Sequence, residues 1–362
     1  MGRSSEKIKI AVVGASGYTG GELLRLLLLH PQFAVVAVTS EKSAGAPVGA
    51  SFPSLAGLCP LTYEALEPDA IARKADAVFL ALPHTKSFEP VAVCLAERKP
   101  VVDLSADYRL KDASAYDTWY QTPHPHPQLL ERAVYGLPEF HREALRSARL
   151  TASPGCYPTA AILQLAPLVA NGLIHSDSIV VDSKSGVSGA GRSPALPYHF
   201  PEANESLEAY KIGTHRHIPE IEQELRILAA RSTGTAGKSG GSVRVAFTPH
   251  LVPMNRGILS TAYGRLHQAI PLNDLRALYR DFYKGEPFIR VQENETSPNP
   301  RHVRGSNFCD VGVFVDRRAG MVVTVAALDN LVKGAAGQAI QAMNLMLGLP
   351  ETTGLMGAGL FP

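Results

Sequence analysis

Short apolar runs alternate with helical patterns along the first half of the chain. "KIKIAVVG" (7–14), "FAVVAVTS" (33–40), "ADAVFLALP" (75–83) and "KPVVDLSAD" (99–107) are apolar enough to be strands covered on both faces. "GGELLRLLLLH" (20–30) carries a helical repeat and stops before Pro31. Strands separated by helices predict an α/β fold with a parallel, doubly wound sheet. Past residue 175 the pattern changes. "DSIVVDSKSGVSG" (177–189), "VRVAFTPHLVP" (243–253) and "ILSTAYGRL" (258–266) read as longer strands, and 307–330 reads as a hairpin turning at "DRRAG". Long strands with a hairpin predict a second, mixed or largely antiparallel sheet. "LVKGAAGQAIQAMNLMLGL" (331–349) is a helix rich in small residues, expected to return to the first domain. "STGTAGKSGGS" (232–242) reads as a mobile surface loop.

Composition narrows the classes. The 362 residues suffice for two domains, and a formal net charge of +2 with no long basic block gives no nucleic-acid footprint. No apolar run reaches the roughly 18 residues of a membrane span. "MGRSSEKIKIAVVG" leads into a strand without the apolar stretch of a secretory signal. Cys59, Cys94, Cys156 and Cys309 are widely spaced, with no CxxC pattern, so free thiols in a reducing cytoplasm are expected.

Two stretches carry the strongest chemistry. In "GASGYTG", Gly14, Ser16, Gly17, Tyr18, Thr19 and Gly20 follow a strand and open a helix. There a glycine-rich turn cradles phosphate with backbone N–H groups and the helix dipole. The spacing is GxxGxxG rather than the commoner GxGxxG. After the next strand Ser40 and Lys42 suit a 2′-phosphate, with Glu41 as the competing ribose ligand, so NADP(H) is favoured over NAD. In "TASPGCYPTA", Cys156 stands in a frame of Pro154, Gly155 and Pro158. Pro154 fixes its own φ, Gly155 permits angles that other residues avoid, and Pro158 suits the first turn of a helix. A cysteine at a helix N-terminus is favoured as thiolate.

Other polar residues complete the set. In "GTHRHIPEIEQEL" (213–225), Pro219 and the following acids mark a helix start, leaving His215 and His217 in the preceding loop. A cysteine nucleophile needs a proton-transfer partner, and histidine titrates in the right range. Arg109, Lys184 and Arg192 lie near glycine-rich turns, and arginine suits carboxylate or phosphate. "HRH" has no carboxylate or cysteine at ligand spacing, so no metal is expected.

Together "GASGYTGGELLRLL", "LALPH", "DLSADYRL", "SPGCYPTA", "SGVSGAGR", "PEANE", "HRHIPEIEQEL" and "DNLVKGAAGQA" resemble the N-acetyl-γ-glutamyl-phosphate reductase family of arginine biosynthesis. The resemblance runs over nearly the whole chain. The glycine turn and the last motif are similar to the wider aspartate-semialdehyde dehydrogenase-like group. That resemblance implies a Rossmann-type nucleotide domain (1–155 and 330–362) and an α+β substrate domain (156–329), as in semialdehyde and glyceraldehyde-3-phosphate dehydrogenases.

The resemblance also implies the reaction. N-acetyl-γ-glutamyl phosphate and NADPH give N-acetylglutamate semialdehyde, phosphate and NADP through a thioester on Cys156. His217 takes the acid/base role, His215, Arg109 and Arg192 contact substrate, and Gly189 and Asn330 lie at the nicotinamide. A homodimer or homotetramer is expected. Family members often carry arginine where this chain has Lys42, which keeps the charge without the planar fork. The nearest rivals are aspartate-semialdehyde dehydrogenase and a carrier-protein-linked acyl-phosphate reductase of lysine biosynthesis. The "HRHIPE" loop argues against the first, and the lack of a basic docking face against the second.

Overall fold

The computed structural model describes residues 6–232 and 242–361. Most of the loop expected at 232–242 therefore lies outside the described residues. The chain divides into two units, Met1–Pro154 with Ala335–Gly357 and Gly155–Gly334 with Ala358–Pro362. Gly155 and residues 330–334 and 358–362, expected with the first unit, group with the second. The physical reason lies in their bonds: Asn330 Oδ1 accepts from the Gly257 N–H, and the Leu360 N–H donates to the Arg304 carbonyl.

The first unit holds β1 (Ile8–Val13), β2 (Phe33–Val38), β3 (Ala77–Leu80), β4 (Val101–Asp103), β5 (Val134–Tyr135) and β6 (Leu150–Ala152). Their order is β2-β1-β3-β4-β6-β5, all parallel. Ile10–Val13, all of β3 and all of β4 are buried, as their unbroken apolar runs require of strands covered on both faces. Helix Gly337–Met346 belongs to this unit; a π-helical turn, Val332–Ala336, precedes it where one continuous helix was expected. The order reverses direction about β1, so the turns after β1 and β3 flank the place where such sheets bind ligands.

The second unit holds β7 (Ile179–Gly186), β8 (Glu208–Ala209), β9 (Val245–Val252), β10 (Ile258–Arg265), β11 (Ile289–Val291), β12 (Cys309–Asp316) and β13 (Met321–Leu328). The order is β11-β12-β13-β10-β7-β9-β8, with only β11/β12 and β7/β9 parallel. Helix Cys156–Ala170 is buried almost throughout and lies on β10, β12, β13 and helix Ile218–Ser232. On the sheet, β7 and β10 alternate buried and accessible residues, the period of a sheet covered on one face. Cross-strand neighbours Val180 and Tyr263 are exposed on the other face.

The run 99–107 ends as a strand at Asp103. Its carboxylate accepts from the Ser105 N–H (3.0 Å) and Ser105 Oγ (2.7 Å), and this local side-chain pairing diverts the backbone from the ladder. Asp107 next to it accepts from the Thr85 and Ser87 N–H groups at 2.7 and 2.9 Å, holding the turn after β3. Burial, and then the charge of Asp107, raise the Asp103 carboxyl to about 7. In the unfolded chain it ionises near the ordinary value of about 4. The folded state thus holds this proton more tightly. Its stabilising effect is full below the unfolded pKa and is lost as pH rises through the folded one. Asp103→Asn is expected to gain stability relative to the parent chain between about pH 5 and about pH 8, read as the difference in thermal midpoints. A difference independent of pH would show that the raised carboxyl does not exist.

Candidate active site

The glycine-rich turn is built by steric necessity at two positions. Gly14 has φ +76°, and a Cβ there would lie 2.5 Å from the Ala81 carbonyl oxygen. A Cβ at Gly20 would lie 2.6 Å from the Ala15 backbone. Gly17 differs. It is the N-cap of helix Tyr18–Leu27, makes no side-chain cap bond, and a Cβ there would meet only the Gly14 carbonyl oxygen at 3.9 Å. The helix N-terminus therefore stays accessible, a cradle that fits a dinucleotide phosphate. Ser16 Oγ and Ser40 Oγ are 2.7 Å apart, tying this turn to the end of β2. Tyr18 and Lys42 are exposed, and Thr19 is half-buried.

Cys156 is the first residue of its helix, half-buried, with Gly155 as N-cap. The backbone freedom of Gly155, open to angles that other residues avoid, is not what the turn uses. Its angles are φ −67° and ψ 152°, ordinary extended backbone. Space explains the glycine instead: a Cβ there would collide with Nε2 of His217. The imidazole is thus packed edge-on against the residue that precedes the cysteine. The Gly155 N–H donates to Glu220 Oε1 at 2.7 Å, and Glu220 is buried. Thr159 closes the first turn, its N–H and Oγ1 both donating to the Gly155 carbonyl.

Helix Ile218–Ser232 starts just after the two histidines. His215 Nδ1 accepts from the His217 N–H at 3.1 Å, so His215 caps the loop that presents His217. Burial, then the charges of Lys211 and Arg216, lower His215 to about 4. It is neutral at physiological pH, with its proton on Nε2. The Tyr157 ring stands edge-on to both imidazoles at 5.9 Å, and the imidazoles lie 4.6 Å apart. Tyr157 is anchored in turn through its hydroxyl, which donates to the His250 carbonyl and accepts from Tyr210.

The remaining expected residues divide. Gly189 and Asn330 come together: Asn330 Nδ2 donates to Ser188 Oγ at 3.0 Å, and a Cβ at Gly189 would lie 3.7 Å from that nitrogen. Arg192 is exposed, directly after Gly191 with φ +88°. Arg109 is buried, and its Nε and Nη2 donate to the carbonyls of Ser153 and Leu104 at 2.7 and 3.0 Å. It thereby fastens the chain three residues before Cys156. Lys184 pairs with Asp182 along β7. Glu220 was read from sequence only as a helix-start acid. Its position three residues after His217, one helical turn along, is the signal that joins it to the site. Among the described residues no group of three or more His, Cys, Asp or Glu is placed to hold a metal ion. No described helix is long and apolar enough to cross a membrane.

Comparison with known proteins accounts for both units. Residues 9–148 match the family described as semialdehyde dehydrogenase, NAD binding domain, and residues 156–330 match semialdehyde dehydrogenase, dimerisation domain. Among solved structures, aspartate semialdehyde dehydrogenase with NADP from Candida albicans superposes with a TM-score of 0.70 at 18% identity, over 94% of this chain and 99% of that one. The Vibrio cholerae aspartate semialdehyde dehydrogenase II complexed with ASA gives 0.68 at 16%, over 95% and 99%. At such identities these likenesses show the fold. The N-acetyl-gamma-glutamyl-phosphate reductase of Geobacter sp. (strain M21) is 54% identical over 98% of this chain and 100% of its own. That of Pelotomaculum thermopropionicum is 49% identical over 98% and 99%. A nucleotide-type glycine turn, a cysteine opening a helix with a histidine against its N-cap, and near-complete alignment at such identity place the chain in one family: it belongs to the N-acetyl-γ-glutamyl-phosphate reductases, oxidoreductases with the semialdehyde dehydrogenase fold.

Proposed function

We propose that this chain reduces N-acetyl-γ-glutamyl phosphate to N-acetyl-L-glutamate 5-semialdehyde in arginine biosynthesis, using NADPH and a thioester on Cys156. The observation that carries the mechanism is the seating of Cys156 as first residue of a helix, with His217 pressed against Gly155. The helix N-terminus favours the thiolate, and His217 takes the thiol proton. The thiolate sulfur bonds to the acyl carbon, the carbon–oxygen bond to phosphate breaks, and His217 passes the proton to the departing phosphate. NADPH, when bound, supplies the hydride that reduces the thioester carbonyl. The resulting oxyanion collapses, expels the Cys156 thiolate and frees the aldehyde, so one proton is consumed overall. Covalent attachment keeps the acyl group from water between the two stages.

His215 orients His217 through the bond between them, and its neutrality at physiological pH leaves proton transfer to His217. Arg192, which is exposed, is assigned to the substrate anions, phosphate or carboxylate; Arg109, expected to share that task, is buried with its guanidinium on the carbonyls of Ser153 and Leu104 and holds the chain before Cys156 instead. Gly14, Ser16, Gly17, Tyr18, Thr19 and Gly20 hold the cofactor phosphates, and Gly189 and Asn330 its nicotinamide end. Lys42, exposed after β2, is assigned with Ser40 to the 2′-phosphate that distinguishes NADP from NAD. A second copy of the chain is the expected partner in a homodimer or homotetramer; the exposed sheet face around Val180 and Tyr263 supports that reading. Four free cysteines, three of them buried, fit a reducing cytoplasm.

The protein is expected to reduce NADP with N-acetylglutamate semialdehyde only when inorganic phosphate is present, the reverse reaction followed at the nicotinamide absorbance. Cys156→Ala is expected to lower kcat by at least about a thousandfold; full activity would remove the covalent mechanism, and turnover of aspartate semialdehyde alone would move the substrate assignment. Lys42→Glu should raise KM for NADP by about tenfold or more, the scale of one charge-assisted hydrogen bond, and leave KM for NAD nearly unchanged. Equal changes for both cofactors would place the 2′-phosphate elsewhere. Glu220→Ala strands the Gly155 N–H, and an unfolding free energy lower by about 1–3 kcal/mol together with a reduced kcat is expected in denaturant titration and steady-state assays.

A further inference from the structure

Cys156 has a second glycine neighbour, far away in sequence. A Cβ built on Gly334 would lie 2.8 Å from Cys156 Cβ and 3.3 Å from its Cα. Real side chains do not approach so closely, so the bare backbone of residue 334 is the wall against which the cysteine stands. Gly334 lies in the π-helical turn Val332–Ala336. That turn hangs from Asp329, which is completely buried.

The Asp329 carboxylate collects donors from three directions. Nε and Nη2 of Arg256 lie within 3.1 Å of its oxygens, Gly305 donates its N–H at 2.6 Å, and Leu331 donates its N–H at 2.9 Å. The Asp329 carbonyl accepts from the N–H groups of Val332 (3.2 Å) and Gly334 (2.9 Å). Asn330 adds bonds to the Gly257 N–H and to Ser188 Oγ. Lys333, fully buried, lays its ammonium over the Phe288 ring at 5.6 Å. A turn fixed at so many points is a rigid stop.

We propose that Gly334, held in place by Asp329, is a positioning residue for the nucleophile: it fixes the Cα–Cβ direction of Cys156 from one side while the Glu220-anchored Gly155 fixes its backbone from the other. The reach of Sγ toward the acyl carbon depends on that direction. A misplacement of about 1 Å at a reacting atom costs on the order of a hundredfold in rate. The inference rests on the reading of Cys156 as nucleophile. Its consequence is a loss confined to the chemical steps, since neither residue is assigned to substrate or cofactor.

The full-length Gly334→Ala and Asp329→Asn variants test this beside Gly357→Ala, where an added Cβ meets nothing within 4 Å. For Gly334→Ala kcat is expected to fall about tenfold to a hundredfold, with KM for both substrates within about threefold. The rate at which iodoacetamide alkylates Cys156 should change as well, in a pH series that reports the thiolate. Asp329→Asn should move both readouts the same way by less, and Gly357→Ala should match the parent chain. A folded Gly334→Ala protein with unchanged kcat and alkylation overturns the proposal, as does a loss shared equally with Gly357→Ala. If Gly334→Ala does not fold, Asp329→Asn decides, unchanged readouts again overturning it. A parent chain that alkylates normally yet turns over no acyl phosphate would sink the proposed function instead, and the alkylation comparison would still judge the role of Gly334.

Discussion

The hydrogen bond from the Gly155 N–H to the Glu220 carboxylate is the constraint on which the candidate site depends. It is buried, short and charge-assisted, the strong class of such bonds. It ties the first turn of one helix, which follows the two histidines, to the N-cap of another, which carries the cysteine. Without it Gly155 would bury an N–H with no acceptor, and the imidazole of His217 would have no fixed surface to rest on. The glycine is required for the same reason. Any side chain at 155 would occupy the place of His217 Nε2.

The chain is held on the other side of this point too, within the first unit. Ser153 donates its N–H to the Asp103 carbonyl, and its own carbonyl accepts from Arg109 Nε. The stretch 103–109 that supplies these bonds is shaped by the buried carboxylates of Asp103 and Asp107. Asp103 stays partly protonated because burial and its neighbour oppose a second charge. His215 is kept neutral by burial and nearby cations and serves as a hydrogen-bond acceptor for the His217 N–H.

Much of the fold was legible. Continuous apolar runs marked β1 to β4 because both faces of that sheet are covered, and long strands with a hairpin marked the mixed sheet. The strands that escaped notice, β5, β6, β8 and β11, have two or three residues each, too few to establish a period. At the site, "GASGYTG" and "SPGCYPTA" were readable because a glycine turn and a cysteine before a helical pattern are local features. Glu220 was half visible, one turn past His217. Gly334 and Asp329 were not visible as partners of Cys156, since nothing in "DNLVKGAAGQA" records which backbone a glycine lies against.

The sequence by itself determined where the chemically versatile residue types fall and what local structure each one opens or ends, because propensity, capping and periodicity act over a few neighbouring residues. It also determined the family, because so many short motifs recur in one order. Only the tertiary structure decided why several of those residues are needed. Gly155 is a matter of space and not of backbone freedom, Arg109 binds main-chain carbonyls beside the cysteine, and Gly334 meets Cys156 across more than a hundred and seventy intervening positions. Contacts of this kind depend on which surfaces meet after the chain has folded, and no local preference encodes that.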